Sequence, residues 1–191
     1  TGVLRERGRS LALIDEALGS VADGRGAVLG LIGKAGLGKT SLLELALARA
    51  RARGFRVALA RGESAESSLP FGLLQQAALD LGGAERFERL AAGPVGEAHA
   101  RRFYATARWL DALATSPLLL AIDDLHWADP DSLELIAFLC RRVVRLPVVF
   151  VMTLRPWPAG AADALAGLVG GGWARLDTLA ALSVEAAASL L

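Results

Sequence analysis

The run Gly33-Lys34-Ala35-Gly36-Leu37-Gly38-Lys39-Thr40 constrains this chain more than any other stretch. It fits G-x-x-x-x-G-K-[ST], a loop that wraps the phosphates of a nucleotide. Glycines let the backbone take positive φ and approach a ligand closely. Successive N–H groups then converge on one anion-sized hollow, at the positive end of the helix that follows. In such a loop Lys39 reaches the β- and γ-phosphates and the Thr40 hydroxyl holds Mg²⁺. The predicted nucleotide contacts are Gly33, Lys34, Ala35, Gly36, Leu37, Gly38, Lys39, Thr40 and Ser41. Composition sharpens the reading: Lys34 and Lys39 are the two lysines, and the other basic residues are arginine. A chain that otherwise writes Arg still writes Lys here, where a compact ammonium and a guanidinium fork are not interchangeable.

The competing reading is an ordinary glycine turn before a helix, and the flanks decide against it. Ala27-Val28-Leu29-Gly30-Leu31-Ile32 is a short apolar run, read as a fully buried strand. Beyond the loop, Leu42, Leu43, Ala46, Leu47 and Ala50 recur at helical spacing, with Gly54 placed to end the helix.

A second apolar run, Pro117-Leu118-Leu119-Leu120-Ala121-Ile122, ends in Asp123-Asp124. Buried carboxylates need a cation, and beside a phosphate loop the natural one is Mg²⁺. The spacing predicts Asp123 near the metal, directly or through water, and Asp124 orienting or deprotonating the attacking water. The plainer alternative is a strand-end turn in which Asp caps the next element. Asp129 and Pro130 fit the N-cap and first position of the next helix, so Asp129 reads as structural. His126 and Trp127 face either the site or the core, with core packing expected for Trp127.

The rest is read more coarsely. Helices are expected over 4–19, 71–81, 98–114, 132–143 and 183–191, and strands over 55–60, 147–154 and 173–179, with a looser glycine-rich stretch around 82–97. Arg49, Arg51 and Arg53 complement a helix C-terminus. Arg5-Glu6-Arg7 is either a solvated charge run or part of the site. His99 has no partner at ligand spacing and reads as a helix-surface residue rather than a metal ligand. Arg155, extended by Pro156 at the tip of a strand, either reads a γ-phosphate or forms a surface ion pair.

Composition excludes several classes. Net charge is +1, which leaves no strong electrostatic footprint for nucleic acid, so direct DNA binding by this chain is not expected. One cysteine, Cys140, suits a reducing compartment such as the cytoplasm. No apolar run is long enough to span a membrane. The chain lacks an initiator Met and stops within an apparent helix, so residues 1–191 read as one domain cut from something longer.

Strands alternate with helices, which implies a mostly parallel sheet covered on both faces. A strand–helix pair intervenes between the phosphate loop and the Asp123 strand, which suggests the additional-strand branch of three-layer P-loop NTPases. Together, Glu6-Arg7, the 33–40 loop, Leu69-Pro70-Phe71-Gly72 with Gln75, and Leu120-Ala121-Ile122-Asp123-Asp124-Leu125-His126-Trp127-Ala128-Asp129 resemble the ATPase domain of large ATP-binding LuxR-type regulators. These are signal-transduction ATPases with numerous domains, within the AAA+-like group. The resemblance implies a five-stranded core binding ATP or ADP with Mg²⁺, Asp123 near the metal and Asp124 supporting hydrolysis. It also implies Arg155 as a sensor and Arg7 near the adenine, although Ser10 stands where the family has an acid. Its other implications are a helical lid, a sensor region and a DNA-binding domain downstream, with nucleotide-dependent self-association.

Three functions follow: a slowly hydrolysing switch, a fast AAA+ remodeller or loader, and a scaffold that binds nucleotide without hydrolysis. A GTPase is disfavoured, because GTPases resemble one another in Asn-Lys-x-Asp and no lysine lies outside the phosphate loop.

Overall fold

A computed structural model describes residues 7–91 and 97–181. In chain order it contains α1 (Gly8–Gly19), β1 (Ala27–Ile32), α2 (Lys39–Ala52), β2 (Arg56–Arg61), α3 (Gly72–Asp80), α4 (Ala84–Ala91) and α5 (Glu97–Leu113). There follow β3 (Leu118–Asp123), α6 (Pro130–Cys140), β4 (Val148–Leu154), α7 (Ala159–Gly170) and β5 (Arg175–Thr178).

Every residue of β3 and β4 is buried, as continuous apolar strands covered on both faces must be. Side chains alternate between two layers. Leu118, Leu120, Ile122, Val148, Phe150 and Met152 join residues of α3, α5, α6 and α7 in one core. Leu119, Ala121, Val149 and Val151 join Ile14 and Leu18 of α1 and Leu42, Leu43, Ala46 and Leu47 of α2 in the other. Two apolar interfaces around one sheet make three layers, each buried Leu contributing about 1.5–3 kcal/mol of transfer free energy.

The sheet order is β2-β3-β4-β1-β5, and every pairing is parallel. Val28 pairs in register with Phe150, and Leu120 with Phe150 on its other side. The strand between β1 and β3 in space is therefore β4, whereas the strand between them in sequence, β2, lies at the edge. The expected additional-strand arrangement holds, with the inserted strand supplied from later in the chain.

Helix α2 buries Leu42, Leu43, Ala46, Leu47 and Ala50, the predicted face. Its terminal arginines do more than complement a dipole, because Arg49 and Arg53 both grip Asp15 of α1, the latter at 2.6 Å. Gly54 takes φ 80° and turns the chain out of the helix.

The structure corrects several expectations. The stretch read as loose contains α4, anchored by Phe87 between Phe71 and Trp109, with ring centroids 6.4 and 6.1 Å away. Its charged neighbours and flanking glycines hide that single anchor in the sequence. Helix α7 is absent from the expected helices, because small residues in Ala-Gly-Ala-Ala-Asp-Ala-Leu-Ala-Gly give little periodic contrast. Helix α6 spans 130–140 rather than 132–143 and ends before Arg141. The α1 and β5 boundaries are narrower than predicted. Trp127 is half-buried and belongs to neither core; His126 beside it is the buried residue. The helix expected over 183–191, with Arg5 and Glu6, lies outside the described residues.

Candidate functional site

The 33–40 loop joins the C-terminal end of β1 to the first turn of α2. Gly36 and Gly38 take φ 77° and 78°, and Gly38 is the N-cap of α2. A side chain at either position would strain the turn. Lys39 is 7% exposed. Its Nζ donates to the carbonyls of Gly33 at 2.9 Å and Lys34 at 2.8 Å, so the ammonium folds back over its own loop. Burial lowers its pKa from the usual lysine value; the Asp124 charge opposes that, Arg155 adds to it, and Asp123 opposes it.

The acidic tip of β3 lies against this loop. Thr40 Oγ1 donates to Asp123 Oδ2 at 3.1 Å, across 83 residues of sequence. Thr153, fully buried at the end of β4, donates to Asp123 Oδ1 at 2.5 Å and accepts the Asp124 N–H at 3.0 Å. One hydroxyl thus fixes a carboxylate and the peptide after it, tying the end of β3 to the end of β4. Asp124 leaves the strand at φ 51°, a conformation Asp tolerates better than most residues. Gly62, just beyond β2, makes room: a Cβ there would stand 2.3 Å from the Asp124 carbonyl oxygen.

The two aspartates differ in access. The Asp123 residue is 5% exposed, whereas the Asp124 side chain is 35% exposed. His126 Nδ1 lies 3.8 Å from Asp124 Oδ1 and accepts the Arg155 N–H at 3.4 Å. Burial lowers the His126 pKa, with Asp124 opposing, Arg155 and Lys39 adding, and Asp123 opposing, so the ring is neutral at neutral pH. An Nδ1 that accepts puts the proton on Nε2, which is buried without a partner among the described residues. Arg155 is half-buried at the tip of β4, and its Nε is likewise buried and unpartnered among those residues.

The fold therefore gathers Lys39, Thr40, Asp123, Asp124 and Arg155 at one end of the sheet. Lys34, Ala35 and Gly36 line the loop on its exposed side, and Ser41 is half-buried at the start of α2. Arg7 is buried at 6% exposure, and its Nη2 donates to the carbonyls of Leu37 and Ala180. Asp129 accepts the N–H groups of Ser132 and Phe71 at 2.8 and 2.9 Å, as an N-cap that also ties α6 to α3. His126 and Thr153 are the participants that sequence reasoning did not place. Thr153 had one signal, a hydroxyl in an otherwise apolar strand.

These residues fit a magnesium nucleotide. A hydroxyl and a carboxylate oxygen within 3.1 Å are hard donors of the kind Mg²⁺ takes from protein when phosphates complete its shell. Among the described residues no cluster of three or more His, Cys, Asp or Glu side chains stands ready to hold a metal unaided.

Fold and loop together define a three-layer α/β P-loop NTPase of the additional-strand type. The sequence pattern of the AAA ATPase domain matches residues 3–151, and the chain belongs to that family. A structure of a DNA replication initiation factor is similar over 96% of this chain and 49% of its own, at TM-score 0.59 and 18% identity. A structure of Drosophila ORC bound to DNA and Cdc6 is similar over 98% and 30%, at 0.53 and 16%. AMPPCP-bound DnaA from Aquifex aeolicus is similar over 88% and 44%, at 0.51 and 20%. At these identities the likeness is one of fold, and the chain spans half or less of each of these three structures. No curated protein sequence matches it significantly. Among the described residues no helix is long and apolar enough to cross a membrane.

Proposed function

We propose that this domain binds ATP with Mg²⁺ and hydrolyses it slowly, as the switch of a larger regulator of the ATP-binding LuxR type. The observation that carries the nucleotide reading is the meeting of Thr40 and Asp123 at 3.1 Å beside a buried Lys39. In this reading the loop amides and the Lys39 ammonium bind the phosphates, the ammonium exchanging two carbonyl partners for anionic oxygens, a stronger class of hydrogen bond. Thr40 and Asp123 hold Mg²⁺, which supplies charge neutralisation along the phosphates when bound. Thr153 keeps Asp123 oriented by occupying its other oxygen.

Asp124 is the better placed carboxylate to hold a water and take its proton, because its side chain reaches solvent while Asp123 is buried. Arg155 acts from the tip of β4 on charge developing at the terminal phosphate. Arg7, held against the Leu37 carbonyl, lies near the adenine in this reading. The regulator reading rests on the 120–129 run and its resemblance, and it places lid, sensor and DNA-binding parts elsewhere in a longer protein in a reducing compartment such as the cytoplasm. A second reading is an AAA+ remodeller or loader with fast turnover, a class compatible with the AAA ATPase family the chain belongs to.

Asp124→Asn tests hydrolysis. Turnover is expected to fall about a hundredfold or more while ATP still binds, the usual scale for a lost general base. Unchanged turnover would favour the scaffold reading. A wild-type basal rate well below about 1 s⁻¹ supports the switch, since working enzymes occupy the range above it.

A further inference from the structure

The N-terminal arginine is placed where helix physics disfavours it. Arg7 is the N-cap of α1; it makes no side-chain capping bond, and no acid follows in the first turn. A cation at the positive end of a helix opposes its dipole, and burying the guanidinium adds a desolvation cost. What offsets both is a pair of carbonyls far away in sequence. Arg7 Nη2 donates to Leu37 O at 2.9 Å and to Ala180 O at 3.0 Å, the second 173 residues distant.

Both partners belong to structures that meet at the phosphate loop. The Leu37 carbonyl opens the Leu37–Gly38 peptide, immediately before Lys39. In a trans peptide the N–H points opposite to the C=O. A carbonyl held by Arg7 therefore turns the Gly38 N–H away from Arg7 and fixes its direction within the loop. On the other side, the Leu179 N–H donates to Ile32 O at 2.8 Å, and a Cβ on Gly33 would stand 3.2 Å from Leu179 Cβ. The chain leaving β5 is thus packed against the root of the same loop. A separate tie holds α1 to β5: Ser10 Oγ donates to the buried Asp177 at 2.5 Å, with Arg9 Nε 3.3 Å from its other oxygen.

We propose that Arg7 is a positioning residue for nucleotide binding, bracketing the Leu37 peptide of the phosphate loop and the Ala180 peptide beyond β5 into one unit. It sets the amide cradle through the backbone, and it couples the Ala180 peptide to the state of that cradle. This rests on the nucleotide reading above.

The test compares wild type, Arg7→Ala, Ser10→Ala and Lys39→Ala for binding of fluorescent ADP, melting temperature and amide exchange without nucleotide. Arg7→Ala is expected to weaken ADP by about tenfold, ~1.4 kcal/mol, and to speed exchange at Leu179. Ser10→Ala, which loosens α1 on β5 without touching the loop, is expected to lower the melting temperature and leave ADP affinity unchanged. Wild-type affinity in Arg7→Ala, or equal losses in Arg7→Ala and Ser10→Ala, overturns the bracket. Failure of the wild type to bind, or binding undiminished in Lys39→Ala, overturns the underlying nucleotide reading instead.

Discussion

The two ends of the sheet are built on opposite plans. At the strands' N-terminal ends, a hollow of about 330 Å³ opens among Leu13, Gly26, Val28, Val144 and Trp173, with the Glu16–Arg175 ion pair at its rim. At the C-terminal ends the buried polar residues Lys39, Asp123, His126 and Thr153 converge from three segments, the start of α2, the end of β3 with the turn after it, and the end of β4. Room alone is inexpensive to leave at a surface; buried charge is not, and persists only where partners are arranged for it. The end with converging charge is the one that parallel α/β sheets offer to ligands. The hollow lies where α1, β1 and β5 meet.

That contrast breaks most readily at Lys39. Lys39→Ala is expected to reduce ATP affinity about a hundredfold or more, ~2.7 kcal/mol, with the fold intact by circular dichroism. Calorimetry showing near wild-type affinity would detach the loop from nucleotide altogether. Next in size is Thr153→Val, which keeps the shape and removes both hydroxyl bonds. An unsatisfied Asp124 N–H and a loosened Asp123 should cost about 1–3 kcal/mol in a denaturant titration. Turnover should fall with it, more than ATP affinity does. An unaltered protein would show that the Thr153 hydroxyl does not hold the Asp123–Asp124 turn. The smallest effect belongs to the opposite end. Trp173 is 41% exposed, and Trp173→Ala is expected to leave ATP affinity within about twofold, the scale of a change that misses the site. A large loss there would mean that the amino-terminal hollow communicates with the loop.

Much of this was legible in the sequence. The 33–40 loop and the Asp123-Asp124 pair are local patterns whose chemistry dictates residue type at fixed spacing, and buried runs such as 118–122 and 148–152 announce parallel strands by being uniformly apolar. What stayed hidden depends on long-range placement. Thr153 acquires meaning only once β4 lies beside β3, and sequence order does not give that neighbour. The partners of Arg7 lie 30 and 173 residues away, so no spacing could announce them. Helix α4 rests on a single aromatic anchor, Phe87, and α7 is made of small residues with little contrast between faces. His126 was visible as a residue, but its burial between Asp124 and the Arg155 peptide was not.

The central claim is that Thr40 and Asp123 act together on one magnesium ion. The direct measurement is the Mg²⁺-dependent part of ATP affinity in wild type, Thr40→Ala, Asp123→Ala and the double variant. The account predicts that each single change removes most of that increment and that the double change removes no more, because the two oxygens serve one ion. Fully additive losses, or a magnesium dependence that survives in Asp123→Ala, would contradict it.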